Sequence, residues 1–245
     1  MAKPVQNMGA SVRARLLTLA KERNQPFDLL LTRYVLERLL YRLSISKHRD
    51  RFVLKGAMLL TAWFDDPLRP TRDIHLLGFG DPEPQGIITV LKELSQIKLD
   101  DGVVYDAGAF EVERNREDLE YGGLRIKTSA SVDSARVRVV IDIGFGDAVE
   151  ATNLELPVLL DLPKPRLHAY PPETVVAEKF HAMVLFGRAN SRMKDLHDLL
   201  LLSRAYAFKD DRLARAIAAT FARRKTEISG RATRRADAGL RGGQG

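Results

Sequence analysis

The segment Ala135-Arg-Val-Arg-Val-Val-Ile-Asp-Ile143 restricts the fold more than any other part of the chain. Its first half alternates, with Arg136 and Arg138 on one side and Val137 and Val139 on the other, the period of two of a β-strand. Val140, Ile141 and Ile143 then form an apolar run, as in a strand covered on both faces. Asp142 interrupts that run. A buried carboxylate costs several kcal/mol unless it is paired, hydrogen-bonded or bound to a metal. Asp142 therefore needs an arginine partner or a functional role, and both remain open at this level.

A second stretch carries further polar groups that matter. Phe52-Val-Leu-Lys-Gly-Ala-Met-Leu-Leu-Thr, continuing to Arg69-Pro-Thr-Arg-Asp73-Ile-His75-Leu-Leu-Gly78, reads as a short apolar strand, a turn at Gly56-Ala57, a helix and a second strand. Asp73 and His75 project to one face of that strand, with Ile74 and Leu76 on the other. A glycine turn that opens a helix can offer backbone N–H groups to a phosphate. A carboxylate pair two residues apart on the next strand would hold Mg²⁺ against it; here a histidine stands at the second position. Asp73 also has a local alternative, pairing with Arg72 or capping a turn.

The remaining segments supply the frame. Ser11 to Lys21 reads as a helix with Ser11 as N-cap. From Phe27 to Leu43 a helical row runs through Phe27, Leu31, Val35, Leu39 and Leu43, with Arg33, Glu37, Arg38 and Arg42 as the polar side. Ile87 to Ile97 reads as an amphipathic helix. Val103 to Glu113, Gly123 to Ala130 and Ala135 to Ile143 read as three strands. Arg166 to Tyr170 is a short extended piece in a proline-containing connector. Three helices follow: Pro171 to Phe186, Arg192 to Ala205 and Asp210 to Arg223. This is an α+β core with a helical C-terminal half. It divides into a mixed core over residues 1–165, a helical subdomain over 166–224, and a basic tail over 225–245 in which apolar residues thin out, expected to be disordered.

Composition narrows the chemistry. The chain has no cysteine, so disulfides and thiolate-held zinc are excluded. A metal site must use Asp, Glu or His, which favours Mg²⁺ or Mn²⁺. The formal charge of +7 suits a polyanionic partner, although Arg223, Arg224, Lys225, Arg231, Arg234, Arg235 and Arg241 place much of it near the end of the chain. No apolar run approaches the ~20 residues of a membrane helix, and the first residues lack a signal-peptide core. The expectation is a cytoplasmic protein with no membrane partner. His168, His181 and His197 have no paired spacing for a metal and read as surface or core positions.

A glycine turn, a helix, a strand with Asp-x-(acid) and a later strand with a third Asp resemble the nucleotidyltransferase superfamily. Lys55-Gly-Ala, Arg69-Pro-Thr-Arg-Asp-Ile-His-Leu-Leu, Val140-Ile-Asp-Ile-Gly, Val176-Ala-Glu-Lys-Phe and Asn190-Ser-Arg-Met-Lys-Asp-Leu-His-Asp sharpen this to the AbiEii/AbiGii toxin family, over roughly residues 30 to 205. The resemblance implies a nucleotidyltransferase-type mixed sheet flanked by helices. It implies Asp73, His75 and Asp142 as catalytic positions and ligands of Mg²⁺ or Mn²⁺. Gly56, Ala57, Lys55 and Lys179 would meet the phosphates of an NTP. Arg192 and Lys194 would meet the nucleotide or the acceptor, with Asp195 orienting that pair or taking part in proton transfer.

Two departures from the family pattern stand out. Ala57 replaces the Gly or Ser usual in the turn and would be strained at positive φ. His75 replaces the second Asp; an imidazole cannot bridge two metal ions as a carboxylate does. The function implied is a toxin of a toxin–antitoxin or phage-defence system that transfers NMP from an NTP to an acceptor such as a tRNA, opposed by a cognate antitoxin protein. The alternative, motivated by His75, is a weakened or inactive member that binds nucleotide, RNA or a partner through the same groove.

Overall fold

The computed structural model describes residues 7–64, 70–114, 123–146, 149–187 and 191–227. The chain divides into two units between Pro171 and Pro172. Arg69, Asn190 and residues 228–245, which carry part of the motifs and most of the basic tail, lie outside the described residues.

The first unit begins with α1 (Met8–Glu22) and α2 (Phe27–Ser44). The cap of α1 is Asn7 rather than Ser11: its side chain accepts from the Ala10 N–H, and Ser11 lies inside the helix. Asparagine is as good a cap as serine, and placing it first lets one more turn form. Pro26 precedes α2, where its missing N–H costs nothing.

The strands follow in the order β1 (Phe52–Lys55), β2 (Ile74–Gly78), β3 (Val103–Tyr105), β4 (Glu111–Arg114), β5 (Leu124–Val132), β6 (Ala135–Phe145), β7 (Thr152–Glu155) and β8 (Arg166–Ala169). A four-residue helix α3 (Leu60–Trp63) lies between β1 and β2, and α4 (Pro84–Gln96) between β2 and β3. The strands join in one mixed sheet in the order β3-β5-β6-β2-β1-β8-β7, with β4 also paired to β5. β6 lies parallel to β2 and β1 parallel to β8; the other pairings are antiparallel. Helix α2 packs against β6, β8, α1 and α4.

Two expectations change here, and one strand is new. Val103 to Glu113 is two strands, because Asp106 turns the chain: its side chain accepts from the Gly108 N–H and its carbonyl from the Ala109 N–H. Strand β7 has no apolar alternation and is mostly exposed at the sheet edge, so its sequence gives little sign of it. Arg166–Ala169 belongs to the sheet as β8, so the helical unit starts at Pro172 rather than at 166.

Three of the four residues on the supposed polar side of α2, Glu37, Arg38 and Arg42, are buried. Arg38 and Arg42 are at most 2% exposed and converge on the buried Asp101. Arg38 Nε lies 3.0 Å from Asp101 Oδ2, and Arg42 donates through Nη1 at 2.7 Å and Nη2 at 3.1 Å. Glu37 accepts from Arg33 Nε at 2.7 Å and from the Leu159 N–H at 3.0 Å; burial nonetheless pushes its carboxyl above the usual range.

The second unit contains α5 (Pro172–Phe186), α6 (Met193–Ala205) and α7 (Asp210–Arg223). Phe221 of α7 meets Phe180 and His181 of α5, with ring centroids 5.7 and 5.1 Å apart. No helix among the described residues is long and apolar enough to cross a membrane.

Candidate functional site

Sheet register assembles the first cluster. Lys55 of β1 pairs with His75 of β2, His75 with Asp142 of β6, and Asp142 with Arg125 of β5. Paired residues of adjacent strands share a face, so these four side chains form a row across the middle of the sheet. Asp73, just before β2, joins the row from the same face as His75. Ile74, Leu76, Ile141 and Ile143 are buried between them in sequence, as the alternation requires.

The ligand atoms of Asp73, His75 and Asp142 lie within 4.8 Å of one another. His75 Nε2 is 3.3 Å from Asp73 Oδ2 and 3.9 Å from Asp142 Oδ2. Neighbouring ligands on one cation with bonds of about 2.0–2.2 Å are roughly 3 Å apart, so this donor set fits one divalent ion after small adjustments. It does not offer a second ion enough: the imidazole at position 75 cannot bridge a pair, and Arg125 already holds both oxygens of Asp142, Nε to Oδ1 at 2.7 Å and Nη2 to Oδ2 at 2.8 Å. Asp142 thus has the arginine partner that one reading of the sequence asks for, and it also stands beside two other metal-capable side chains.

Gly56 explains how His75 is accommodated. Its φ is +78°, and a Cβ there would come within 3.0 Å of His75 Cβ and 3.1 Å of His75 Cγ. The imidazole therefore lies against the glycine backbone. Positive φ falls on Gly56 and not on Ala57, so the alanine carries none of the strain expected of it. The turn continues as a 3₁₀ helix over Gly56–Leu59 into the short α3, a much briefer helix than the sequence suggests. Lys55 Nζ lies 5.5 Å from the centroid of the Tyr170 ring.

The second cluster lies within the helical unit. Lys179 of α5 bonds Asp195 Oδ1 at 2.7 Å and Asp198 Oδ2 at 2.8 Å, both on α6. Arg192 Nε approaches Asp195 Oδ2 at 3.5 Å. The i,i+3 spacing of Asp195 and Asp198 is what lets one ammonium reach both. Lys194 is exposed at the start of α6. Asp198 is fully buried, so it is not part of a solvated helix end.

Arg125 is the residue that reading the sequence missed. The signal for it was present: β5 and β6 are joined through Asp133-Ser134, and counting back from that turn pairs Arg125 with Asp142.

No functionally curated protein shows significant sequence similarity to the chain. Solved structures with a similar fold include two from Helicobacter pylori. JHP933 from Helicobacter pylori matches with a TM-score of 0.54 and 16% identity over 77% of this chain and 72% of that one. A presumed nucleotidyltransferase from H. pylori matches with a TM-score of 0.51 and 13% identity over 78% of this chain and 80% of that one. The sequence model of the nucleotidyl transferase AbiEii toxins of type IV toxin–antitoxin systems matches residues 38–242. That span contains every residue of both clusters, and the chain belongs to the AbiEii nucleotidyl transferase toxin family.

Proposed function

We propose that the chain transfers a nucleoside monophosphate from an NTP to an acceptor hydroxyl, and that RNA, a tRNA 3′ end in particular, is the acceptor. The observation that carries this reading is the register that sets His75 and Asp142 side by side, with Asp73 completing a three-donor cluster next to the Gly56 turn. A divalent cation bound there, Mg²⁺ or, given the nitrogen ligand, more readily Mn²⁺, would neutralise phosphate charge. The acceptor oxygen gives up its proton to solvent and forms the new bond to the α-phosphorus while the bond to the bridging α–β oxygen breaks and pyrophosphate leaves. Such chemistry depends on positioning and charge compensation. Asp73, His75 and Asp142 hold the cation. The backbone of Gly56 and Ala57, with Lys55, faces the phosphates. The excess of basic residues suits an RNA acceptor.

Lys179, Arg192 and Lys194 are assigned to the nucleotide or the acceptor by their match to the family motifs. Lys179 is already held between Asp195 and Asp198, so its first task is to fix α5 against α6, and a phosphate must compete with two carboxylates for it. Asp195 orients Lys179 and Arg192. We place the reaction in the cytoplasm, where NTP and tRNA are found, under the control of a cognate antitoxin.

A second reading has its own support: His75 and the Arg125–Asp142 pair both lower the negative charge available to a cation. On this reading the chain binds nucleotide, RNA or a partner protein and turns over slowly or not at all. Incubation with labelled NTPs, total tRNA and Mg²⁺ or Mn²⁺ separates the two. Label should pass to RNA with the wild type and not with Asp73→Ala. Equal labelling by both proteins removes the site assignment. Binding of NTP without labelling, even with Mn²⁺, selects the second reading.

A further inference from the structure

Asp142 is 5% exposed, and its carboxylate lies against a guanidinium that sits at the rim of the cluster with its side chain 42% exposed. The two hydrogen bonds are parallel and short, the strongest arrangement open to an Arg–Asp pair. Their partner strands are held by an antiparallel ladder from Leu124 to Val132, so the fork is fixed in place by the sheet. Arginine cannot lose its proton at any ordinary pH. The charge it brings to the cluster is therefore permanent. The two carboxylates, Asp73 and Asp142, less the one charge that Arg125 offsets, leave at most one net negative charge, before Lys55 of the same row is counted, far short of what two divalent ions require.

We propose that Arg125 is the resident cation of this site: it takes the place in the charge balance that a second metal ion would have, and it limits the cluster to one divalent ion. The inference rests on the reading of Asp73, His75 and Asp142 as a metal and nucleotide site. It adds that Arg125, not a second ion, compensates the buried Asp142. His75 and Arg125 then act in the same direction on the charge balance. A histidine in place of a carboxylate removes one negative charge, and the arginine removes the need for the second positive ion that the carboxylate would have helped to bind.

The test is a Mn²⁺ titration of the full chain, with free Mn²⁺ read by electron paramagnetic resonance. The wild type should bind one ion. Arg125→Gln should bind Mn²⁺ about tenfold more tightly or more, because a like charge beside the ion is gone, or should take up a second ion. Arg125→Lys, which keeps the charge, should bind one ion as the wild type does. His75→Asp should tighten binding yet still take one ion while Arg125 is present, and His75→Asp with Arg125→Gln should take two. Two ions on the wild type or on His75→Asp would overturn the proposal. So would an Arg125→Gln protein that is folded by circular dichroism and binds no more tightly than the wild type. If Arg125→Gln does not fold, the ion count on His75→Asp decides. Asp73→Ala in the same titration tests the underlying reading separately: an ion retained there means the cluster is not the metal site, whereas a wrong ion count with Asp73 required means only that Arg125 has been misassigned.

Discussion

His75 rests on Gly56: a methyl group added at Gly56 would sit 3.0 Å from the His75 Cβ, on a backbone whose φ of +78° no L side chain adopts comfortably. Two penalties act together there, local strain and a clash with the ring that lines the cluster. The strain alone is worth about 1–3 kcal/mol. Gly56→Ala should therefore lower stability by at least about 1 kcal/mol and displace the imidazole from Asp73 and Asp142. Denaturant unfolding measures the first effect. A double-mutant cycle with His75→Ala measures the ring's share of the clash, since His75→Ala removes the Cγ and Cδ2 atoms that lie 3.1 Å away and leaves both the Cβ contact and the φ strain. Zero coupling between the two positions would show that the ring does not depend on the glycine.

Asp101 answers two buried arginines from α2. Removing its charge leaves Arg38 and Arg42 in the interior without their common anion, and breaking a buried pair of this kind costs about 3–5 kcal/mol. Asp101→Asn keeps the shape and should still destabilise the first unit by about that amount, in urea denaturation read by circular dichroism. A change under about 1 kcal/mol would mean that the arginines find other acceptors, such as the Pro163 carbonyl that Arg38 Nη1 already reaches.

The same residues show what the sequence can and cannot convey. The apolar row of α2 was legible from its spacing, but periodicity reports only which side chains share a stripe. It does not reveal that Asp101, far along the chain, draws Arg38 and Arg42 inside. Buried Asp142 was legible because a charge inside Val-Val-Ile-Asp-Ile has few innocent explanations. Its partner was encoded too, but only through the register set by the Asp133-Ser134 turn, a two-step inference from turn to pairing. The motif holding Lys179, Asp195 and Asp198 was legible as a set of residues. That one ammonium bridges both carboxylates depends on how α5 packs against α6, which local pattern does not specify. Strand β7 was invisible because edge strands need no alternation.

His181 makes the helical unit sensitive to acid. The ring is buried, its Nε2 lies 2.9 Å from Thr226 Oγ1, and its Nδ1 is a buried atom without a hydrogen-bond partner. Burial, and secondarily Arg224, hold its pKa below the ordinary value of 6.5. A histidine depressed in the folded state binds its proton more readily when unfolded. The stability contributed by the neutral ring is thus complete above about pH 6.5 and is lost as pH falls from there toward the lower folded pKa. The slope in that window is at most about 1.4 kcal/mol per pH unit. His181→Phe should flatten the dependence of the melting temperature on pH between about 7 and 5. An unchanged profile would place the acid sensitivity elsewhere.

Lys179 is 14% exposed at its side chain and Asp198 not at all. Replacing Lys179 with Met keeps most of the packing and withdraws the cation from a buried carboxylate, which costs about 3–5 kcal/mol when the anion stays charged. Lys179→Met should therefore loosen the helical unit, seen as faster hydrogen exchange in α5 and α6. Adding Asp198→Asn should recover most of the loss, because the buried charge that lost its lysine is gone. If Lys179→Met instead leaves exchange unchanged and only weakens NTP binding, the lysine serves the ligand and not the helix pair.

Restoring a carboxylate at residue 75 bears most directly on function. His75→Asp adds a negative charge between Asp73 and Asp142 and provides an oxygen donor suited to Mg²⁺. Each 1.36 kcal/mol gained in the transition state multiplies the rate by ten, and a new carboxylate on a phosphate-bound cation should give about that much or more. Nucleotidyl transfer with Mg²⁺ should thus rise about tenfold over the wild type, with a smaller rise for Mn²⁺, which tolerates the histidine nitrogen better. Chelation by EDTA should abolish transfer by both proteins. The ratio of Mn²⁺-supported to Mg²⁺-supported rates carries the decision: it should be high in the wild type and fall in His75→Asp. A ratio that stays constant would show that residue 75 does not touch the ion, and the cluster would then comprise Asp73 and Asp142 with Arg125 beside them.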